Sequence, residues 1–87
     1  MQLLIVTPAG VVCQAEVESV KLSGTAGQFT VLRGHASLMS TLERGEVIYV
    51  ENGTEHRVAI RSGVVNVHND QIEVCAELDT MNVKATR

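Results

Sequence analysis

The sequence predicts an all-β domain, a flattened β-sandwich or barrel of about ten short antiparallel strands in two sheets. Three observations lead to this fold class. Short runs rich in valine, isoleucine and leucine alternate with polar residues, turn signals recur about every 8–12 residues, and no stretch repeats with the helical period. Because 87 residues are enough for only one domain, residues 1–87 are expected to form a single unit.

Composition limits both the core and the partners. Hydrophobic residues make up 45% of the chain but aromatic residues only 2%, so the core must be aliphatic. The net charge of −3 and the absence of a basic cluster argue against binding to nucleic acid or anionic lipid. The first apolar run ends at Thr7, far short of the about 20 residues of a membrane span. A soluble chain that stays in its compartment of synthesis is expected.

The first half of the chain predicts strands at residues 2–7, 11–22, 29–32 and 38–42. Within the second of these, the apolar positions shift phase by one residue between Val17 and Val20. A one-residue slip moves all later side chains to the other face of a sheet. The slip therefore predicts either a β-bulge near Glu18 or a strand that crosses from one sheet to the other.

The second half predicts a hairpin and two further strands. Asn52-Gly53 is a strong signal for a type I′ turn, which joins strands at residues 46–51 and 54–60. Ser62-Gly63 is expected to end the second of these strands, and new strands follow at residues 64–67 and 71–76. Residues 79–87 lose the alternation and are expected to form a tail, with no C-terminal helical domain.

No pattern points strongly to catalysis or metal binding. The three histidines, at positions 35, 56 and 68, lack the about two-to-four-residue spacing of zinc ligands, so no metal or cofactor is expected. Cys13 and Cys75 are expected to be core thiols, because apolar strands disfavour a thiolate. A small hydrolase that uses a cysteine or histidine remains an alternative. Glu16 and Glu18 could form an acid–base pair, but a solvated outer face is the simpler interpretation.

The most informative stretch lies at residues 23–45. Glycines at positions 24, 27 and 34 bracket a short strand that begins at Phe29, and the loop Gly-His-Ala-Ser-Leu follows at residues 34–38. A histidine beside an apolar pair in such a loop either packs into the core or forms a contact patch. Spacing alone leaves both interpretations open.

Residues 20–38, VKLSGTAGQFTVLRGHASL, resemble the N-terminal domain of the epsilon subunit of F-type ATP synthase. The opening strand with Pro8, the Leu-x-x-Gly-x-Val segment at residues 42–47, and the segments at residues 62–67 and 72–76 follow in the same order and spacing. The resemblance covers essentially the whole chain.

The resemblance implies a non-catalytic subunit at the foot of the central stalk of a proton-translocating ATP synthase. It implies that the domain binds the gamma subunit, contacts the c-ring and couples rotation to ATP synthesis. Membrane association is then only through the complex, on the cytoplasmic side of the bacterial inner membrane. The positions implied to face gamma are Thr7, His35, Ala36, Leu38 and Ser40. Gln28 is the implied c-ring contact. The family often carries an acidic residue at this position, and because glutamine is uncharged, the implied contact is a hydrogen bond rather than an ion pair.

Departures from the family pattern qualify these expectations. Arg33 and Ser37 stand where the family usually has proline, which predicts a more mobile loop. Nothing in the sequence reads as the family's C-terminal helical hairpin, so a short form is expected, with neither ATP binding nor inhibition by a C-terminal helix. The alternative from another class is a free-standing β-sandwich that binds a ligand or peptide.

Overall fold

The computed structural model describes residues 1–79, which form eight β-strands. In chain order these are β1 (Gln2–Thr7), β2 (Gly10–Glu16), β3 (Ser19–Gly24), β4 (Gly27–Leu32), β5 (Leu38–Leu42), β6 (Gly45–Glu51), β7 (Thr54–His68) and β8 (Gln71–Leu78). Within this range, no helix is long and apolar enough to cross a membrane. Of the predicted tail, Asp79 is described and residues 80–87 lie outside the described residues.

The strands form two layers that share one long strand. Layer one has the order β2-β1-β8-β7-β5 and uses the second half of β7, and layer two has the order β4-β3-β6-β7 and uses the first half. A single pairing, between Gly24 and Leu42, joins β3 to β5. The principal extents of 37 × 29 × 21 Å fit a flattened β-sandwich. The predicted all-β fold class is confirmed, but the described residues form eight strands rather than about ten, one pairing is parallel, and β7 makes the two layers one continuous sheet.

The first phase slip is a crossing between the layers. The backbone N–H of Val17 donates to the Met1 carbonyl in layer one at 2.8 Å, and the next N–H, of Glu18, donates to the Val50 carbonyl in layer two at 2.8 Å. Successive residues are therefore bonded to different layers, and Val17 itself is buried. Of the two predicted alternatives, the crossing strand is correct.

The predicted break at Ser62-Gly63 is wrong, because β7 runs without interruption from Thr54 to His68. The pairing with β8 shifts between Ile60 and Ser62, which leaves Arg61 as an extra residue in a β-bulge. Gly63 serves a close backbone approach there: a methyl group at this position would lie 2.7 Å from the Cys75 carbonyl oxygen.

One pairing is parallel. β1 lies beside β8 and runs in the same direction, whereas the other pairings among residues 1–79 are antiparallel. The geometry follows from the start of β1, where the backbone N–H of Gln2 donates to the Asp70 carbonyl in the β7–β8 turn at 2.9 Å. Both strands therefore begin at the same end of layer one.

Both layers contribute to one aliphatic core. Each large buried side chain of this kind contributes about 1.5–3 kcal/mol to folding. The core side chains with no exposed surface are Leu3, Ile5, Val20, Leu22, Val31, Val47, Ile60, Val65 and Val74. Phe29 and Tyr49 pack against this cluster but are only partly buried. The fully buried core is therefore aliphatic, as the composition predicted.

Candidate docking site

The histidine-bearing loop, residues 33–37, leaves the end of β4 and enters β5. Its own hydrogen bonds are short-range: the His35 N–H donates to the Leu32 carbonyl at 3.0 Å, and His35 Nδ1 donates to the Ala36 carbonyl at 2.7 Å. Gly34 has a φ of 83°, a left-handed conformation that glycine adopts without strain. His35 is half-buried and Ala36 is exposed, so the loop is a surface feature.

The other residues expected to face gamma lie in different places. Leu38 and Ser40 are half-buried on the inward side of β5, and Leu38 packs against the core. Thr7 is three strands away, at the far end of β1, where its hydroxyl accepts from the Ala9 N–H at 3.2 Å. The structure thus groups His35 and Ala36 at one end of layer one and places Thr7 at the other.

Between the histidine loop and Thr7 lies a surface that was not predicted from the sequence. The strand register aligns outward residues of four strands of layer one, which we call the apolar row: Val64, Cys75, Val6 and Val11. Val64 is 44% and Val11 65% exposed, and Met39, two residues from the row on β5, is 76% exposed. Backbone hydrogen bonds join these strands within layer one. In the described part of the chain, no further layer packs over their outward side chains. Period-two alternation, applied to β1 and β7 as well as β8, could have found them.

A depression opens beside this row. It has a volume of about 360 Å³ and is lined by Val6, Thr7, Pro8, Cys75 and Ala76. The lining is apolar except for the Thr7 hydroxyl. Such a lining suits an apolar group better than a polar ligand, which needs several placed polar groups.

Gln28, the expected c-ring contact, is exposed on β4 near the β3–β4 turn. It lies at the opposite end of β4 from the histidine loop, which follows Leu32. Leu32 lies four positions further along the extended strand than Gln28, or roughly 13 Å away. The two predicted contact regions therefore lie at opposite ends of β4.

The cysteines are not arranged as nucleophiles. Cys75 is exposed, so its prediction as a core thiol is wrong; it occupies an outward position on β8 that no other layer covers. Cys13 is half-buried and interacts with Tyr49, whose ring stacks on His56 with centroids 5.0 Å apart. Burial raises the pKa of Tyr49 to about 12, helped by Cys13 and by the Glu51 charge. A phenol with that pKa cannot take a proton from a thiol at neutral pH.

The two glutamates that could have formed an acid–base pair have separate structural roles. Glu16 binds the Met1 amino group and the Gln2 amide, and this hydrogen bonding to the amine lowers the pKa of Glu16. Glu18 accepts the Gly53 N–H at 2.8 Å and so braces the β6–β7 turn. Within residues 1–79, no group of three or more His, Cys, Asp or Glu side chains could hold a metal ion.

The comparisons with known sequences agree on one protein family. The sequence model of the family described as ATP synthase, Delta/Epsilon chain, beta-sandwich domain matches residues 1–78. The ATP synthase epsilon chain of Campylobacter jejuni subsp. doylei is 44% identical over 78 residues, which are 88% of this chain and 60% of that one. The chain of the same description from Citrifermentans bemidjiense is 37% identical over 73 residues, 84% of this chain and 53% of that one. The chain therefore spans less than two thirds of the length of these relatives.

Solved structures share the fold. A chain in the central stalk/c-ring structure of the Tetrahymena thermophila mitochondrial ATP synthase superposes with a TM-score of 0.78 at 14% identity, over 100% of this chain and 72% of that one. A chain in the Euglena gracilis mitochondrial ATP synthase structure of OSCP, F1 and c-ring gives 0.79 at 17% identity, over 97% and 59%.

Proposed function

The chain belongs to the family of the ATP synthase delta/epsilon chain beta-sandwich domain, and from this premise we propose that it is a central-stalk subunit of a proton-translocating F-type ATP synthase. In this role it has no active site of its own. It binds the gamma subunit, contacts the c-ring and couples rotation to ATP synthesis. It is held at the cytoplasmic side of the bacterial inner membrane only through the complex, and residues 1–79 bind no ATP.

The observation that carries this proposal is the uncovered apolar row of layer one. Four outward residues on adjacent strands make a strip roughly 14 Å long, at about 4.8 Å between strands. Contiguous exposed apolar surface of this kind marks protein–protein contacts. Of the residues expected to face gamma, Thr7 directly follows Val6 of the row, whereas Leu38 and Ser40 lie on the inward side of β5. We therefore place the gamma contact on this outer face, with the loop of residues 33–37 at its edge.

A wide apolar contact also suits the mechanical task. A joint that turns with a proton-driven rotor must hold against about 2.3 kcal/mol per charge per 100 mV. Contacts with gamma and the ring together are expected to bury about 1,600 Å². Gln28, at the other end of β4, offers an exposed amide for a hydrogen bond to the polar loops of the ring.

The test compares the same substitution on the two outer faces. Val64→Asp puts a charge in the apolar row, and Thr30→Asp puts one at an exposed, outward position in the middle of β4. Loss of a hot-spot contact costs about 2 kcal/mol or more, so Val64→Asp should weaken binding to purified gamma at least about 30-fold in a calorimetric titration. Thr30→Asp should bind as wild type, and thermal unfolding should confirm that both variants are folded.

The Cys75 thiol gives a second measurement on the same face. In a Cys13→Ser background, gamma should slow the alkylation of Cys75 because the apolar row becomes covered. The proposal is wrong if gamma leaves this rate unchanged, or if Val64→Asp and Thr30→Asp bind alike. If the folded wild-type chain does not bind gamma, that result instead favours the alternative function, a free-standing ligand- or peptide-binding module.

A further inference from the structure

The β7–β8 turn, residues 68–70, contacts the loop of residues 33–37 at both of its ends. Asp70 Oδ1 accepts the Gly34 N–H at 2.7 Å, and His68 Nδ1 lies 3.0 Å from Ser37 Oγ. His35 and Ala36, the residues expected to meet gamma, lie between these two anchors. The sequence did not predict either contact, because Asp70 lies 36 positions from Gly34 and His68 lies 31 positions from Ser37.

The loop needs such anchors. Strand pairing ends at Leu32 on one side and resumes at Leu38 on the other, and the left-handed Gly34 adds freedom at the first turn. A loop that is mobile before binding loses conformational entropy when a partner orders it. Side-chain hydrogen bonds that order the loop in advance remove part of that cost.

The turn is itself rigidly placed. Asn69 and Asp70 have φ values of 49° and 58°, in the left-handed region that asparagine and aspartate tolerate better than most residues. The Asp70 carbonyl accepts the Gln2 N–H at 2.9 Å, which ties the turn to β1. The carboxylate therefore projects from a backbone held by three strands.

The hydrogen-bond directions at His68 are also defined. An amide nitrogen can only donate, so Asn69 Nδ2, 3.1 Å from His68 Nε2, makes Nε2 the acceptor. The proton of the neutral ring then lies on Nδ1, which donates to Ser37 Oγ. Both anchors thus have matched donors and acceptors.

We propose that the β7–β8 turn positions the histidine loop for partner binding, with Asp70 as the main positioning residue and His68 acting through Ser37. Asp70 touches no partner in this account; it holds the Gly34 backbone so that His35 and Ala36 are presented in one conformation. The part that concerns gamma rests on the proposed function, whereas the ordering of the loop does not.

Two substitutions at one position isolate the carboxylate oxygen. Asp70→Gly keeps the left-handed backbone without strain but removes the acceptor, and Asp70→Asn keeps both. Amide hydrogen exchange by NMR should show Gly34 about tenfold less protected in Asp70→Gly, the lower range for a hydrogen bond to a charged group, and clearly less affected in Asp70→Asn, whose neutral oxygen still accepts. Binding to purified gamma should weaken about three- to tenfold in Asp70→Gly and recover in Asp70→Asn. Ser37→Ala should give a smaller change of the same kind.

The outcomes separate the two hypotheses. Retained Gly34 protection in Asp70→Gly overturns the positioning role, and so does lost protection with unchanged gamma affinity. A uniform loss of protection across the β-strands overturns it too, because that pattern reports lower global stability. If the wild-type chain does not bind gamma, the proposed function fails, and the Gly34 exchange still decides whether Asp70 orders the loop.

Discussion

The two outer faces of the sandwich are built from the same kind of alternating strands but differ in whether their outward side chains have partners. On layer two, Arg57 lies 2.8 Å from Glu55 and 3.0 Å from Glu46, so the outward charges of β6 and β7 pair with one another. On layer one, the same strand β7 presents Val64 beside Cys75, with no side chain of the described residues covering them. The fold allows either face to be polar or apolar. The choice of outward residues is the reason that layer one is the proposed binding face.

The largest predicted effect concerns the hydrophobic core that the two layers share. Ile60, fully buried just before the bulge in β7, packs in the core between them. Ile60→Ala should lower the free energy of unfolding by about 2–5 kcal/mol, from the lost burial and the cavity left behind. That is a large part of the roughly 4–13 kcal/mol expected for a domain of this length.

Chemical denaturation should show this loss in a single transition. The outward, exposed Asn66 on the same strand provides the matched control, since Asn66→Ala should change stability little. Two separate transitions would break the comparison, because the layers would then be independent units rather than two faces of one.

The second prediction tests the contact between the layers at Tyr49, the only tyrosine of the chain. Tyr49 on β6 interacts with Cys13 on β2, and its pKa is raised from 10.0 to about 12, first by burial. Because the pKa of Tyr49 is higher in the native protein than in the unfolded chain, the protonated phenol stabilises the native state. This contribution to the free energy of unfolding is complete below pH 10 and is lost as the pH rises from 10 to about 12.

Ultraviolet absorbance of tyrosinate should therefore show a midpoint near 12 in the native protein and near 10 in denaturant. Tyr49→Phe should flatten the alkaline decline in stability. A native midpoint near 10 would mean that the edge between β2 and β6 is open to water.

The smallest predicted effect concerns the charged face of layer two. Hydrogen bonds to Glu55 and Glu46 raise the pKa of Arg57, but the group is fully exposed, so solvent screens the pairing. Arg57→Ala should cause only a slight fall in melting temperature, reduced further by salt. Its affinity for gamma should equal that of wild type, and a marked loss would move the contact to layer two.

Much of this architecture followed from local patterns. The strand at residues 71–76 was predicted from alternation, and β8 (Gln71–Leu78) confirms it, with every second residue buried. The turn at Asn52-Gly53 was also predicted, and φ values of 51° and 77° confirm its left-handed geometry. These features could be predicted because the side-chain period and the conformational preference of a residue depend on near neighbours alone.

Sites that depend on distant strands were harder to predict. The slip near Glu18 left a bulge and a crossing equally open, and Gly63 was misread as a strand end because its role is to admit the β8 backbone. For the candidate site, the Gly-His-Ala-x-Leu loop was identified as either core or contact surface, and His35 proves half-buried. The Asp70 anchor and the apolar row were missed, since each joins residues far apart in the chain.

The division has one physical cause. Alternation and turn chemistry act over a few residues, so the linear chain already specifies an aliphatic β-sandwich and which side chains of each strand point the same way. Whether an outward side chain meets water, an ion pair or a partner depends on which strands become neighbours, and only packing of the two layers brings Val64 beside Cys75 and Asp70 beside Gly34.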